Sequence, residues 1–169
     1  LAAPAGLGDR PAGNGAAMPV PNLWSPIEVC RVIEASPAEV YAVLRDPRTY
    51  PKWLDGAQRI RRVDRDFPRP GAAFEHSVGP SERVTVDDSS EVVAVEPGRR
   101  LVLRVHVGPL KGTVELLTLP HPKGTEARFR EQPDGWVRLF TPALRLVLSG
   151  RNGHSLRQLE QVVLERRRT

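Results

Sequence analysis

The segment ASPAEVYAVLRDPRTYPKWLDG at residues 35–56 decides how the rest of the chain must be arranged. Ser36 is a strong helix N-cap, Pro37 stands at the first helical position where its missing N–H costs nothing, and Glu39 follows three residues after Ser36 as in a capping box. These agreeing signals predict a short helix with Val40, Val43 and Leu44 as its buried stripe. Pro47 must end that helix or bend the chain, so RTYPKWLDGA reads as a second short helical piece carrying Tyr50, Trp53 and Leu54 and closed by Gly56.

Immediately upstream, IEVCRVIEA at 27–35 has the β-branched content and the length of a strand. Downstream, from 58 to about 133, turn signals recur at regular spacing: Pro68 to Gly71, Gly79-Pro80, Pro97-Gly98, Gly108 to Gly112, His121 to Gly124, and Pro133 to Gly135. The runs between them, QRIRRVDRDF, AAFEHSV, ERVTVDDSSEVVAVE, RLVLRVHV, TVELLTL and TEARFRE, alternate enough to bury one face and wet the other, which predicts an antiparallel meander. After Thr141, Leu144, Leu148, Leu156, Leu159 and Val163 recur at helical spacing, giving one long amphipathic helix. The predicted fold class is therefore α+β: a curved antiparallel sheet wrapped around a long C-terminal helix, with two short helices after strand 1. A sheet bent around a single helix leaves unfilled space between them, a natural place for an apolar ligand.

Composition narrows the function classes. The 169 residues hold 40% hydrophobic and 27% charged side chains, a globular balance. The single cysteine, Cys30, excludes an internal disulfide and multi-cysteine metal sites and fits a reducing, cytoplasmic location. Residues 1–22, with four Pro, four Gly and six Ala, read as an irregular extension ahead of one domain over 23–169. The chain opens with Leu and its only Met is Met18, so residues 1–17 are compatible with a processed leader, a misplaced start or a cloning remnant. Neither a secretory signal nor a spanning helix is present, so no membrane insertion is expected. The net charge of +5 includes Arg59, Arg61, Arg62, Arg65 and Arg69 and the basic end Arg166 to Arg168. Asp64 and Asp66 interleave, aromatic residues make up only 5%, and no nucleic-acid motif appears, so these read as solvated faces and no nucleic-acid partner is expected.

The quoted residues resemble a known family. ASPAEVYAVLRDPRTYPKWLDG at 35–56, PGAAF at 70–74, VEPGRRLVLRV at 95–105, the GT at 124–125 and LSGRNGHSLRQLEQVVLE at 148–165 are similar, in order, to the START-like (SRPBCC) superfamily, in particular its polyketide cyclase/dehydrase-like branch. The resemblance spans roughly residues 25–167 and implies the helix-grip fold. It also implies that the chain binds or transforms a hydrophobic molecule, since members handle lipids, polyketides, sterols and plant hormones. In this family the second short helix caps the cavity mouth, which would put Tyr50, Trp53 and Leu54 there. The superfamily has no shared catalytic motif.

Polar residues stranded on apolar faces are the remaining clues. In AAFEHSV, alternation places Ala72, Phe74, His76 and Val78 on one side, so an inward Phe74 brings His76 with it. That imidazole either orients a ligand or acts as a general acid or base, or is a partly buried His satisfied by a neighbour. On the long helix, Asn152 interrupts the apolar stripe, with Gly150 and Gly153 beside it. Its amide either bonds a ligand or satisfies a loop or strand-end backbone group. Leu103 and Val105 are assigned to the inner face of their strand and Arg104 and His106 to solvent; a slip of one residue would turn Arg104 inward, suiting an acidic or enolate-bearing ligand. The run Asp87, Asp88, Ser89 and Ser90 breaks its strand's alternation and is read as a bulge or bend.

The expected ligand-binding set is thus Tyr50, Trp53, Phe74, His76, Leu103, Val105, Leu148, Asn152 and Leu156, with His76 the catalytic candidate if the protein is an enzyme. No cofactor is expected. No metal is expected either, because the four His, at 76, 106, 121 and 154, lie on different elements. The expected partner is a hydrophobic or aromatic small molecule held between sheet and C-terminal helix; the alternative is a polyketide cyclase/dehydratase-type enzyme. A third reading makes the grip a scaffold for an interaction surface, with the extension docking a partner or swapping between subunits of a homo-oligomer.

Overall fold

The computed structural model describes residues 25–81 and 83–168; the irregular extension expected over 1–22 lies outside them. Seven strands form one antiparallel sheet in the order β1-β7-β6-β5-β4-β3-β2. They are β1 (Ile27–Ile33), β2 (Ala57–Val63), β3 (Ala73–Ser81), β4 (Val84–Glu96), β5 (Arg100–Val107), β6 (Leu110–His121) and β7 (Gly124–Pro133). Strands β2 to β7 follow the meander read from the turn signals. The first strand instead pairs with the last, Ile27 opposite Glu131 and Ile33 opposite Thr125, which leaves β1 and β2 as the two sheet edges.

The helices α1 (Pro37–Leu44) and α2 (Tyr50–Trp53) lie between those edge strands in sequence, and α3 (Thr141–Arg168) crosses the concave face. α1 begins as its sequence dictates: Ser36 Oγ accepts from the Glu39 N–H and the Glu39 carboxylate accepts from the Ser36 N–H at 2.7 Å. Asp46 caps the 3-10 turn Pro47–Thr49 that leads into α2. Gly124 has φ near +131°, and a Cβ there would sit 2.3 Å from the Ile33 carbonyl. A glycine is what lets the β6–β7 turn close against the end of β1. Thr125 ties the same corner by donating to the Ala35 carbonyl at 2.7 Å.

The core lies between sheet and helices. Leu101, Leu116, Phe129, Leu156 and Leu159 are almost wholly buried, each contributing about 1.5–3 kcal/mol relative to exposure. Register shifts between Ala57 and Arg59, Ile60 and Arg62, and Val92 and Ala94 supply the local bends a curved sheet needs. No bend falls at residues 87–90: Ser77, His76 and Glu75 pair in regular register with Asp87, Asp88 and Ser89. The polar run is continuous strand, with Asp88 and Ser90 turned inward and buried. Gly79-Pro80 likewise belongs to β3 rather than to the turn, and the β3–β4 hairpin closes beyond Ser81. Among the described residues, no helix is long and apolar enough to cross a membrane.

Candidate ligand cavity

Between sheet and helices lies a cavity of about 80 Å³. Its floor and walls come from six adjacent strands, mostly from alternate residues: Ala57 on β2, Phe74, His76 and Val78 on β3, Asp88 and Ser90 on β4, Leu103 and Val105 on β5, Val114 and Leu116 on β6, and Phe129 and Glu131 on β7. Alternation along each strand is what turns these side chains, two residues apart, to the same side. Tyr50, Trp53, Leu54 and Asp55 form the lid, and Arg151 of α3 completes the rim.

The lid is fixed from behind. Tyr50 packs edge-on to Trp53 and to Phe74, with ring centroids 5.0 and 5.2 Å apart. Its hydroxyl donates to the Leu44 carbonyl at 2.7 Å. Burial, with the nearby Tyr41 and Asp46, pushes the Tyr50 phenol far above its ordinary range, so it is a fixed donor and not an acid-base group. Trp53 Nε1 donates to Thr49 Oγ1 at 3.2 Å, and the Asp55 N–H donates to Ser155 Oγ at 3.0 Å, pinning the end of the lid to α3.

Inside the apolar wall stands one charged-type pair. His76 Nε2 lies 3.0 Å from Asp88 Oδ2, and both side chains are nearly fully buried, at 4% and 3% exposure. The two residues are directly opposite on β3 and β4, so the contact is dictated by strand register. With the carboxylate as acceptor, Nε2 carries the proton; taken as the neutral imidazole, the ring then presents a lone pair at Nδ1. That Nδ1 and the second carboxylate oxygen, Asp88 Oδ1, are buried without a hydrogen-bond partner. Leaving a buried polar atom unpaired costs about 1–3 kcal/mol, so a ligand or water that bonds to these atoms gains on that account.

A second polar cluster closes the opposite rim. Glu131 accepts from Arg151 Nη2 at 2.9 and 2.7 Å and from Asn152 Nδ2 at 2.8 Å. These bonds lock α3 to the end of β7. The charge of Arg151 is thereby matched, while its Nε and the Asn152 Oδ1 have no partner. The chain between Glu131 and Arg151 carries exposed apolar side chains, including Trp136, Leu139, Phe140, Leu146 and Val147, the last two 83% and 66% exposed.

Of the residues singled out from sequence, Tyr50, Trp53, Phe74, His76, Leu103 and Val105 come together around this space. Leu148, Asn152 and Leu156 do not line it. Leu156 is core, Leu148 is half-buried on the first half of α3, and the Asn152 amide is taken by Glu131. Arg104 is exposed, on the outer face. The sequence reading missed Asp88, Glu131 and Arg151. Asp88 could have been found from parity, since it shares the inward face with Ser90 and Val92, two and four residues on. Among the described residues no cluster of His, Cys, Asp and Glu could hold a metal ion.

Comparison with known proteins agrees with this architecture. A protein of Rhodobacter sphaeroides superposes with a TM-score of 0.71 at 20% identity, covering 86% of this chain and 96% of that one. A protein of Chromobacterium violaceum gives 0.65 at 19% identity, covering 82% and 96%. The di-domain ARO/CYC StfQ from the steffimycin biosynthetic pathway gives 0.65 at 18% identity; 86% of this chain covers 53% of that one, about one of its two domains. At these identities the likeness establishes the fold. No curated protein matches the chain. A family model does, over residues 27–164, from the first strand of the sheet to the last turns of the gripped helix. The chain therefore belongs to the family described as polyketide cyclase / dehydrase and lipid transport.

Proposed function

We propose that the protein binds a hydrophobic or aromatic small molecule, lipid- or polyketide-like, in the cavity between sheet and α3. The observation that carries this reading is an apolar wall surrounding one buried His76–Asp88 pair whose outer atoms are unpaired. A site of that kind is apolar for affinity and polar at a few points for orientation. In this reading Tyr50, Trp53, Phe74, Leu103 and Val105 give the ligand its apolar contacts and His76 its polar one, while Leu156 packs in the core and Asn152 holds Glu131 at the rim. At about 80 Å³ the cavity is smaller than the roughly 150 Å³ that holds a benzene, so entry requires the rim to widen. The test is a titration with a neutral fluorescent apolar probe, with native mass spectrometry for a one-to-one adduct. Saturable uptake that Val105→Trp abolishes without unfolding the protein supports the proposal; no uptake, or uptake unaffected by that substitution, overturns it.

A second reading, a cyclase or dehydratase acting on a polyketide-like substrate, is favoured by the same pair. An imidazole held by a carboxylate is oriented as a general base, and Nδ1 is the atom left to take a proton from an acidic C–H or to return one to a leaving hydroxyl. The family and the fold shared with an ARO/CYC domain support it. In this reading Asp88 orients His76, and Asn152, expected as a donor to the ligand, instead donates to Glu131. Loss of turnover in His76→Ala, with ligand binding retained, supports the enzyme; unchanged turnover removes His76 as the base.

A further inference from the structure

We propose that this cavity selects neutral hydroxyl-bearing ligands, such as phenols, over hydrocarbons and over carboxylates of the same size, because His76 Nδ1 and Asp88 Oδ1 are unpaired acceptors set in its apolar wall and Glu131 stands at its rim. The inference rests on the reading of the cavity as a ligand site. An apolar pocket without polar atoms would rank ligands by hydrophobicity alone. Here two buried acceptors await a donor. A hydroxyl supplies that donor, and a hydrocarbon leaves both acceptors desolvated and unpaired.

A carboxylate ligand fares worse. It has no proton to donate, and it would bring its charge beside the Asp88 carboxylate, while the Glu131–Arg151 pair at the rim is matched within itself. The one guanidinium at the cavity, Arg151, spends Nη2 on both oxygens of Glu131, so its charge is matched before any ligand arrives. Its remaining Nε suits an uncharged acceptor such as a ketone or ether oxygen. The arrangement therefore discriminates by hydrogen-bond role and charge, not by shape alone. This excludes free fatty acids from the preferred ligands and favours hydroxylated aromatics.

The experiment compares phenol, toluene and benzoate, one ring with three substituents, on the full chain by ligand-detected and protein-detected NMR. Phenol is expected to bind about tenfold tighter than benzoate, the size of one hydrogen bond to a charged group. The His76→Phe/Asp88→Leu variant removes both acceptors together, because removing one partner alone would strand the other. In that variant the phenol-to-toluene affinity ratio should fall about tenfold, with toluene binding retained. In the wild type, phenol and not toluene should shift the His76 Nδ1 nitrogen resonance. Equal phenol-to-toluene ratios in the two proteins, or benzoate binding as tightly as phenol, overturn this selectivity while leaving the cavity as a ligand site. Failure of all three ligands to bind the wild type overturns both proposals.

Discussion

The two halves of α3 meet different surroundings. From Asn152 onward the helix is sunk into the molecule, with Ser155, Leu156, Leu159, Val162 and Val163 buried against the core. Before Asn152 its apolar residues face outward or lie half-covered, and Leu146 and Val147 are among the most exposed large hydrophobics of the described chain. The junction is the point where Glu131 holds Arg151 and Asn152. The sheet therefore grips only the second half of the helix. Of the first half only Arg151 lines the cavity, and this half is held by polar contacts such as Arg151 to Glu131 and Arg145 to the Ser25 carbonyl. Apolar burial fixes one end of the helix and is absent at the other. Elements with few buried apolar contacts are also those that open at low cost, which is what entry to a cavity of this size requires.

That contrast can be broken by substitution. Leu159→Ala removes a fully buried side chain and should cost about 2–5 kcal/mol in denaturant unfolding. Ser36→Ala removes the hydroxyl that caps α1 on the sealed side and should cost about 1 kcal/mol. Leu146→Ala, on the exposed half of the same helix, should stay within about 0.5 kcal/mol of wild type. If Leu146→Ala cost as much as Leu159→Ala, the two halves would be equally gripped and the distinction would fall.

The convex face provides a separate check, because its contribution to stability should follow pH. Glu115 on β6 meets Arg100 and Arg130 of the neighbouring strands, and Arg130 also holds Glu28 of β1. Burial pushes the Glu115 carboxyl upward, but hydrogen bonds and charge from the two arginines outweigh it and hold the group below its ordinary value. A carboxyl depressed in the folded state adds stability above its unfolded pKa and loses it as pH falls through the folded one. The stability difference between wild type and Glu115→Gln should therefore be full at neutral pH and shrink once pH drops below the usual carboxylate range. A difference independent of pH would show that the ladder contributes through packing alone.

Much of the fold was legible because its signals are local. The Ser36–Glu39 box, Pro47, the parity of Phe74 and His76, and the turn at Pro97-Gly98 each act over a few residues. The candidate site was legible only on its own strand. Pairing His76 with Asp88 depends on where the β3–β4 hairpin turns, and Gly79-Pro80, the obvious turn dipeptide, lies within β3. Taking it as the turn shifts the register and sends Asp88 away from the imidazole. The stripe of α3 showed a similar limit. Periodicity placed Leu144 and Leu148 on the same face as Leu156 and Leu159, but the reach of the sheet decides how far along that face burial extends, and no local pattern encodes it.

The central claim, that one end is sealed and the other opens onto a ligand cavity, is tested most directly by amide hydrogen exchange along α3 with and without a bound neutral aromatic. Residues 156–163 should be strongly protected and unchanged by ligand, and residues 142–151 should exchange faster and gain protection when the cavity fills. Equal protection along the whole helix, or a ligand response confined to residues 156–163, would contradict it.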